Sequence, residues 1–295
     1  MHVFYINLDH RTDRRLYMEG EFSHIGLAAE RITALTPAQL DADVLAEHAA
    51  RTSGTQLSLP ELACAYSHSR AWQRMLDLDL PYAAFFEDDM RLSGLLPAFL
   101  EDVAPLAAKV DIIRLETRFQ SVRVGRTTDR LPCGIELRRF HTQQWGMGGY
   151  ILNASCAARL LADRRLFHYP VDDLFFDNAS PLFHTFDNRQ CDPALCVPGE
   201  IMGSLQGDPN WHSDIEKERR QRFDSAKPNR FAGRSFALLL KLPREIDRIW
   251  GQVQEAVTAA YGHLVHMTRR RNIKFDPGTA PRISKAAQSA RSGCR

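Results

Sequence analysis

Along the first two-thirds of the chain, short apolar runs of strand length alternate with stretches whose apolar residues recur at helical spacing. Val3-Phe4-Tyr5-Ile6 reads as a strand and breaks into Asp9-His10-Arg11-Thr12-Asp13, where Thr12 or Asp13 is placed to cap a helix. Met18, Phe22 and Ile25 then share one helical face before Gly26. Ser58 to Glu61 has capping-box spacing, and the apolar stripe Leu62, Ala65, Tyr66, Trp72 and Leu76 predicts a helix to Asp77. After Pro81, the run Tyr82 to Phe86 is a buried strand that ends abruptly in Glu87-Asp88-Asp89. Val110 to Leu115 and Met147 to Leu152 predict two more strands, the second followed by Asn153 as cap of a helix through Leu161. Such alternation predicts an α/β sheet whose ligands gather at the carboxyl ends of its strands. Beyond Pro198 the pattern loosens. Leu239, Leu242, Ile246, Ile249, Trp250, Val253 and Val257 keep helical spacing around Pro243 and predict a helical hairpin or extension.

Composition narrows the class. Of 295 residues, 44% are hydrophobic and 25% charged, the balance of a protein with a sizeable core. The net charge of +2 gives no general drive toward nucleic acid. The positive charge is concentrated at the end: Gly262 to Arg295 holds eight basic residues against one acid, Asp276. From Arg269 onward, this polar, Ala/Ser-rich segment is expected to be a disordered tail. No apolar run is long enough to cross a membrane and Met1 to Leu8 lacks signal-peptide features, so a cytoplasmic location is expected. The six cysteines form no C-x-x-C pair and read as reduced thiols, with Cys191 and Cys196 as small buried residues. There is no internal repeat of fixed period, and the dinucleotide glycine fingerprint, the P-loop and H-E-x-x-H are absent.

Chemistry then has few places to reside. Three adjacent carboxylates after a buried strand repel one another unless a cation or a basic partner neutralises them. For Glu87-Asp88-Asp89 the two readings are a solvated acidic turn and a hard-oxygen site for Mg²⁺ or Mn²⁺ holding a nucleotide diphosphate. Gly146, Gly148 and Gly149 crowd the start of a strand, where glycine marks either a bulge or a close backbone approach to a donor. Asp172 and Asp173 open a short helix, and they either cap it or supply a general base. His68 reads as a packed or hydrogen-bonded histidine. His184 and His212 lie in loop-like stretches, and His212, beside Trp211, is the preferred third metal ligand. Arg11, Arg14 and Arg15 follow the first strand and either meet a phosphate or form a solvated helix face.

In order along residues 1–215, the segments Val3-Phe4-Tyr5-Ile6-Asn7-Leu8, Glu61-Leu62-Ala63-Cys64-Ala65-Tyr66-Ser67-His68, Phe85-Phe86-Glu87-Asp88-Asp89, Asp111-Ile112-Ile113-Arg114-Leu115, Gly146-Met147-Gly148-Gly149-Tyr150 and Val171-Asp172-Asp173 together resemble the family 25 glycosyltransferases. That resemblance implies a GT-A-like α/β fold with a mainly parallel sheet over residues 1–230, ahead of the helical extension at 231–268 and the tail at 269–295. It implies a UDP-sugar donor, Mn²⁺ (or Mg²⁺), and galactose moved with inversion to a hydroxyl of a glycan or glycolipid such as lipooligosaccharide. On it, Asp89, Glu87 and His212 would hold the metal; Asn7, Leu8, Arg11, Arg14, Glu87, Asp88 and the three glycines would bind the donor; Asp173 or Asp172 would be the base. Asp172 stands where the family more often has Glu, which leaves that choice open. The basic tail fits contact with an anionic inner-membrane surface as well as plain solvation. A non-catalytic nucleotide- or glycan-binding module of the same fold is the alternative, and a metal-dependent phosphoesterase, which needs more histidine ligands than the sequence offers, ranks last.

Overall fold

Strands that are apolar at every position need cover on both faces, and the central sheet has it. The computed structural model describes residues 1–50, 57–177, 180, 182–201 and 268–278. Strand β1 (His2–Asn7) leads to α1 (Thr12–His24), β2 (Glu30–Thr33), α2 (Ala42–Ala50), α3 (Leu59–Asp77), β3 (Tyr82–Glu87) and β4 (Met90–Leu92). Helices α4 (Leu96–Asp102) and α5 (Ala104–Ala107) precede β5 (Ile112–Arg114), β6 (Ser121–Gly125), β7 (Asp129–Arg130) and β8 (Glu136–Arg139). Then come β9 (Gly149–Asn153), α6 (Ala154–Ala162), α7 (Val171–Phe176), β10 (Asn188–Asp192), β11 (Cys196–Pro198) and β12 (Thr268–Asn272).

Local signals explain where several helices start. Ser58 Oγ accepts the Glu61 N–H while the Glu61 carboxylate accepts the Ser58 N–H at 2.8 Å, closing the capping box of α3. Asn153 Oδ1 accepts the Cys156 N–H at 2.7 Å and caps α6, a contact of about 1 kcal/mol. The expected cap of α1 is corrected. Thr12 and Asp13 are already helical, the N-cap is Arg11 with no side-chain capping bond, and Arg11 instead pairs with Asp13 at 2.9 Å.

The eight-stranded sheet runs β2-β1-β3-β9-β5-β10-β8-β7. Most of its strands point one way, with β9 and β8 against their neighbours, so the sheet is mixed at its centre. Alternate residues of β1, β3 and β9 enter different cores. Phe4, Phe85 and Tyr150 pack with Trp72 and Phe175 under α3, α6 and α7. Tyr5, Phe86 and Ile151 pack with Phe22 and Phe99 under α1 and α4. Phe85 stacks on Tyr150 at 5.3 Å between ring centres, and such pairs add roughly 0.5–1.5 kcal/mol beyond their buried area. Cys156, Cys191 and Cys196 are buried, and no described cysteine is in a disulfide.

Two small antiparallel ribbons, β4 with β11 and β6 with β12, complete the fold. The second corrects the expected tail. Residues 269–278 are not disordered: Arg269-Arg270-Arg271 lie in β12, Arg271 pairs with Asp192, and Ile273 is buried. Thr117 donates to the Ile273 carbonyl at 2.8 Å, and Gly94 N–H to that of Pro277 at 2.7 Å. Charge runs suit an edge strand because exposed arginines block further pairing there. The proposed helical extension falls almost wholly within 202–267, outside the described residues. No helix among the described residues is long and apolar enough to cross a membrane.

Candidate active site

β1 and β3 are parallel neighbours, so Asn7 and Glu87 end at the same edge of the sheet. The first turn of α1 brings Arg14 over that edge. Asn7 Nδ2 donates to Asp88 Oδ2 at 2.7 Å, and Arg14 donates to Asp88 Oδ1 at 3.0 Å and reaches Asp89 Oδ2 at 3.3 Å. A basic partner therefore neutralises part of the acidic tip, the one sequence reading having named a cation or such a partner as alternatives. The compensation is incomplete. Burial raises the Asp89 carboxyl to about 7; the Glu87 and Asp88 charges push the same way and Arg14 only partly offsets them. Burial also raises Asp88, whereas at Glu87 the His68 hydrogen bond and the Arg118 and Arg14 charges outweigh burial and hold the carboxyl low. Hard carboxylate oxygens left under-compensated, as at Asp88 and Asp89, are donors of the kind that fits Mn²⁺ or Mg²⁺.

A carboxyl raised on folding binds its proton more tightly in the folded state, so the stability it contributes falls as pH climbs from 3.8 toward 7. Asp89→Asn is accordingly expected to raise the melting temperature of the metal-free protein more at pH 8 than at pH 5. Equal gains at both would show that the folded carboxyl is not raised.

The tip closes one end of a cleft of about 290 Å³, at the lower edge of the roughly 300–1,000 Å³ usual for ligand pockets. Its lining is apolar at Ile6, Leu8, Ala34, Leu35 and Pro37 and polar at Arg11, Arg14, His68 and the three acids. Behind it runs a buried relay. Trp72 Nε1 donates to the Tyr150 hydroxyl at 2.8 Å, the hydroxyl is 2.8 Å from His68 Nδ1, and His68 Nε2 is 3.4 Å from Glu87 Oε1. Because the indole only donates, the relay is satisfied when Tyr150 donates to Nδ1 and Nε2–H points at Glu87. His68 is thus the hydrogen-bonded histidine that sequence suggests, and it also lines the cleft.

Because β9 runs against β3, its first residues land beside the acidic tip: Phe86 pairs with Gly149, and Glu87 N–H donates to the Gly148 carbonyl at 2.9 Å. The glycines are required by protein neighbours. A Cβ at Gly146, whose φ is +86°, would meet the Glu116 carboxylate at 2.5 Å; one at Gly148 would overlap Met90, and one at Gly149 would overlap Cys196. The stretch is bolted from behind. Arg114, fully buried over the Phe176 ring at 4.7 Å, donates to the carbonyls of Gly146 and Trp145 and pairs with Glu116 at 3.2 Å. Glu116 accepts the Gly148 N–H at 2.9 Å and Arg118 at 3.1 Å. Asp172 Oδ2 accepts the Gly146 N–H at 3.0 Å, so this buried carboxylate anchors the glycine stretch, while Asp173 beside it is half-buried.

Leu8, Arg11, Arg14, Glu87, Asp88 and Asp89 thus share the cleft, with Asn7 buried beneath it. Gly146, Gly148, Gly149, Asp172 and Asp173 stand behind or beside it and do not line it. His212 lies outside the described residues, and His184 is exposed on a 3-10 turn away from the cleft lining. In the sequence pattern Arg114 figures only within Asp111-Ile112-Ile113-Arg114-Leu115, and Glu116 and Arg118 not at all. The available signal was their spacing of two, which puts alternating charges on one face of a strand end that is otherwise apolar.

The model of "Glycosyltransferase family 25 (LPS biosynthesis protein)" matches residues 1–175. The chain is 29% identical over 265 residues, 82% of itself and 94% of the relative, to the lacto-N-neotetraose biosynthesis glycosyltransferase LgtB of Neisseria meningitidis serogroup B. It is 31% identical over 73% of itself and 81% of the relative to LgtE of Neisseria gonorrhoeae, and 26% identical over 84% of itself and 94% of the relative to the lipooligosaccharide biosynthesis protein lic2B of Haemophilus influenzae. The cleft and its acidic tip lie wholly within the matched residues. The chain belongs to glycosyltransferase family 25.

Proposed function

We propose that the protein moves galactose from UDP-galactose to a hydroxyl of a growing lipooligosaccharide, with inversion at the anomeric carbon. The observation that carries this reading is the cleft at the ends of β1 and β3, lined by apolar side chains and by the three acids, in a chain of this family. Its apolar lining suits the uracil and its polar lining the ribose and diphosphate. The names of LgtB, LgtE and lic2B support the acceptor class. Asp89 and Glu87 would hold Mn²⁺ or Mg²⁺, which when bound offsets charge on the departing diphosphate. Arg11 and Arg14 act on that charge as it develops, a transition-state effect. Asp173 takes the proton from the acceptor hydroxyl as it attacks, while Asp172 holds the Gly146 N–H. Exposed Arg269 and Lys274 support peripheral contact with an anionic inner-membrane surface at about 1 kcal/mol per residue.

The test is UDP release from UDP-galactose, with and without Mn²⁺ and a lipooligosaccharide acceptor. The expected result is release that needs both, with the product's new linkage opposite in configuration to the donor's. A non-catalytic binding module releases no UDP under any of these conditions.

A further inference from the structure

Two side chains in the cleft, Cys64 and His68, have no task in that reaction, and they lie beside Glu87, which has one. Cys64 and His68 lie one turn apart on α3, and Glu87 ends the neighbouring strand β3. A thiol sulfur, an imidazole nitrogen and a carboxylate oxygen from these three lie within 4.8 Å of one another, with His68 Nε2 3.4 Å from Glu87 Oε1. We propose that Cys64, His68 and Glu87 form a binding site for a borderline-soft divalent cation, Zn²⁺, separate in chemistry from the hard-oxygen site assigned to Asp89.

Three features carry this. The donor set of sulfur, nitrogen and oxygen is that of zinc, and bond lengths of about 2.0–2.3 Å put tetrahedral donors roughly 3.3–3.6 Å apart, so a separation at the upper bound closes by about 1.2–1.5 Å. The far nitrogen of His68 is already fixed. Nδ1 sits 2.8 Å from the Tyr150 hydroxyl, which Trp72 holds in turn, the kind of outer support that orients a metal-binding histidine. All three ligands also line the cleft, which leaves the fourth position open to water. On binding, the thiol gives its proton to solvent, and the His68 proton moves from Nε2 to Nδ1, which then donates to the Tyr150 oxygen as the tyrosine O–H rotates away from Nδ1. Glu87 is common to both sites, so zinc here opposes donor binding.

The experiment uses the full chain and Co²⁺ as a spectroscopic stand-in for Zn²⁺. Wild type is expected to show a thiolate-to-cobalt charge-transfer absorption that Zn²⁺ abolishes. Cys64→Ser should lack it, Asp89→Ala should keep it, and Tyr150→Phe should keep it with affinity about 10–100-fold lower. Zn²⁺ should also shield Cys64 of the wild-type protein from alkylation, read by mass spectrometry of its peptide, which needs no variant to fold. No charge-transfer band in wild type, a band that survives Cys64→Ser, or unchanged alkylation of Cys64 overturns the proposal. None of these readings involves UDP or sugar transfer, so a failed transferase assay leaves them standing.

Discussion

Asp89→Ala is expected to bring UDP affinity in the presence of Mn²⁺ down to its metal-free level and to lower turnover by about 10²–10³-fold, the scale of removing one preorganised electrostatic group. Asp89 is the carboxylate that Arg14 leaves least compensated: the same guanidinium lies 3.0 Å from Asp88 and 3.3 Å from Asp89, and Asp88 also has Asn7. Its raised carboxyl, at about 7, marks a place where additional positive charge is favoured. Removing it leaves Arg14 paired with Asp88, so the fold should survive and the loss should appear in binding. Calorimetric titration of UDP with and without Mn²⁺ decides. An Asp89→Ala protein that still gains affinity from Mn²⁺ as wild type does would remove the acidic tip from the metal-binding role.

Asp173→Asn is expected to separate binding from chemistry, keeping UDP affinity near that of wild type while transfer falls by about 10²–10⁴-fold, the usual contribution of a general base. The neighbouring Asp172→Asn is the informative control. An asparagine there still offers an oxygen to the Gly146 N–H, so the glycine stretch keeps its anchor and transfer should stay within about tenfold of wild type. Initial rates under saturating donor and acceptor give the comparison. Wild-type turnover in Asp173→Asn, or a larger loss in Asp172→Asn, would exchange their roles.

The readable parts of this fold are those set by local chemistry. The buried run before Glu87, the capping box at Ser58 and the cap at Asn153 each depend on residues within a few positions, and each stands where its pattern puts it. The direction of β9 depends instead on pairing with β3 and β5, and that pairing brings Gly148 beside Glu87. The glycines announced that backbone must approach something closely, but the neighbours are Glu116, Met90 and Cys196, two of them from other strands. Arg269-Arg270-Arg271 reads as solvated charge because side chains dominate a composition argument. Its backbone found the free edge of β6, which no property of those residues alone specifies.

The described residues on either side of positions 202–267 are both fastened to the sheet region. On one side, Gly199 N–H donates to the Asp89 carbonyl at 2.6 Å; on the other, β12 is laced to β6 and Arg271 to Asp192. A single methyl at Gly149 would cost roughly 1–3 kcal/mol through overpacking against Cys196. Descendants of this chain can therefore vary little at the glycine stretch, where even the smallest side chain meets packed neighbours.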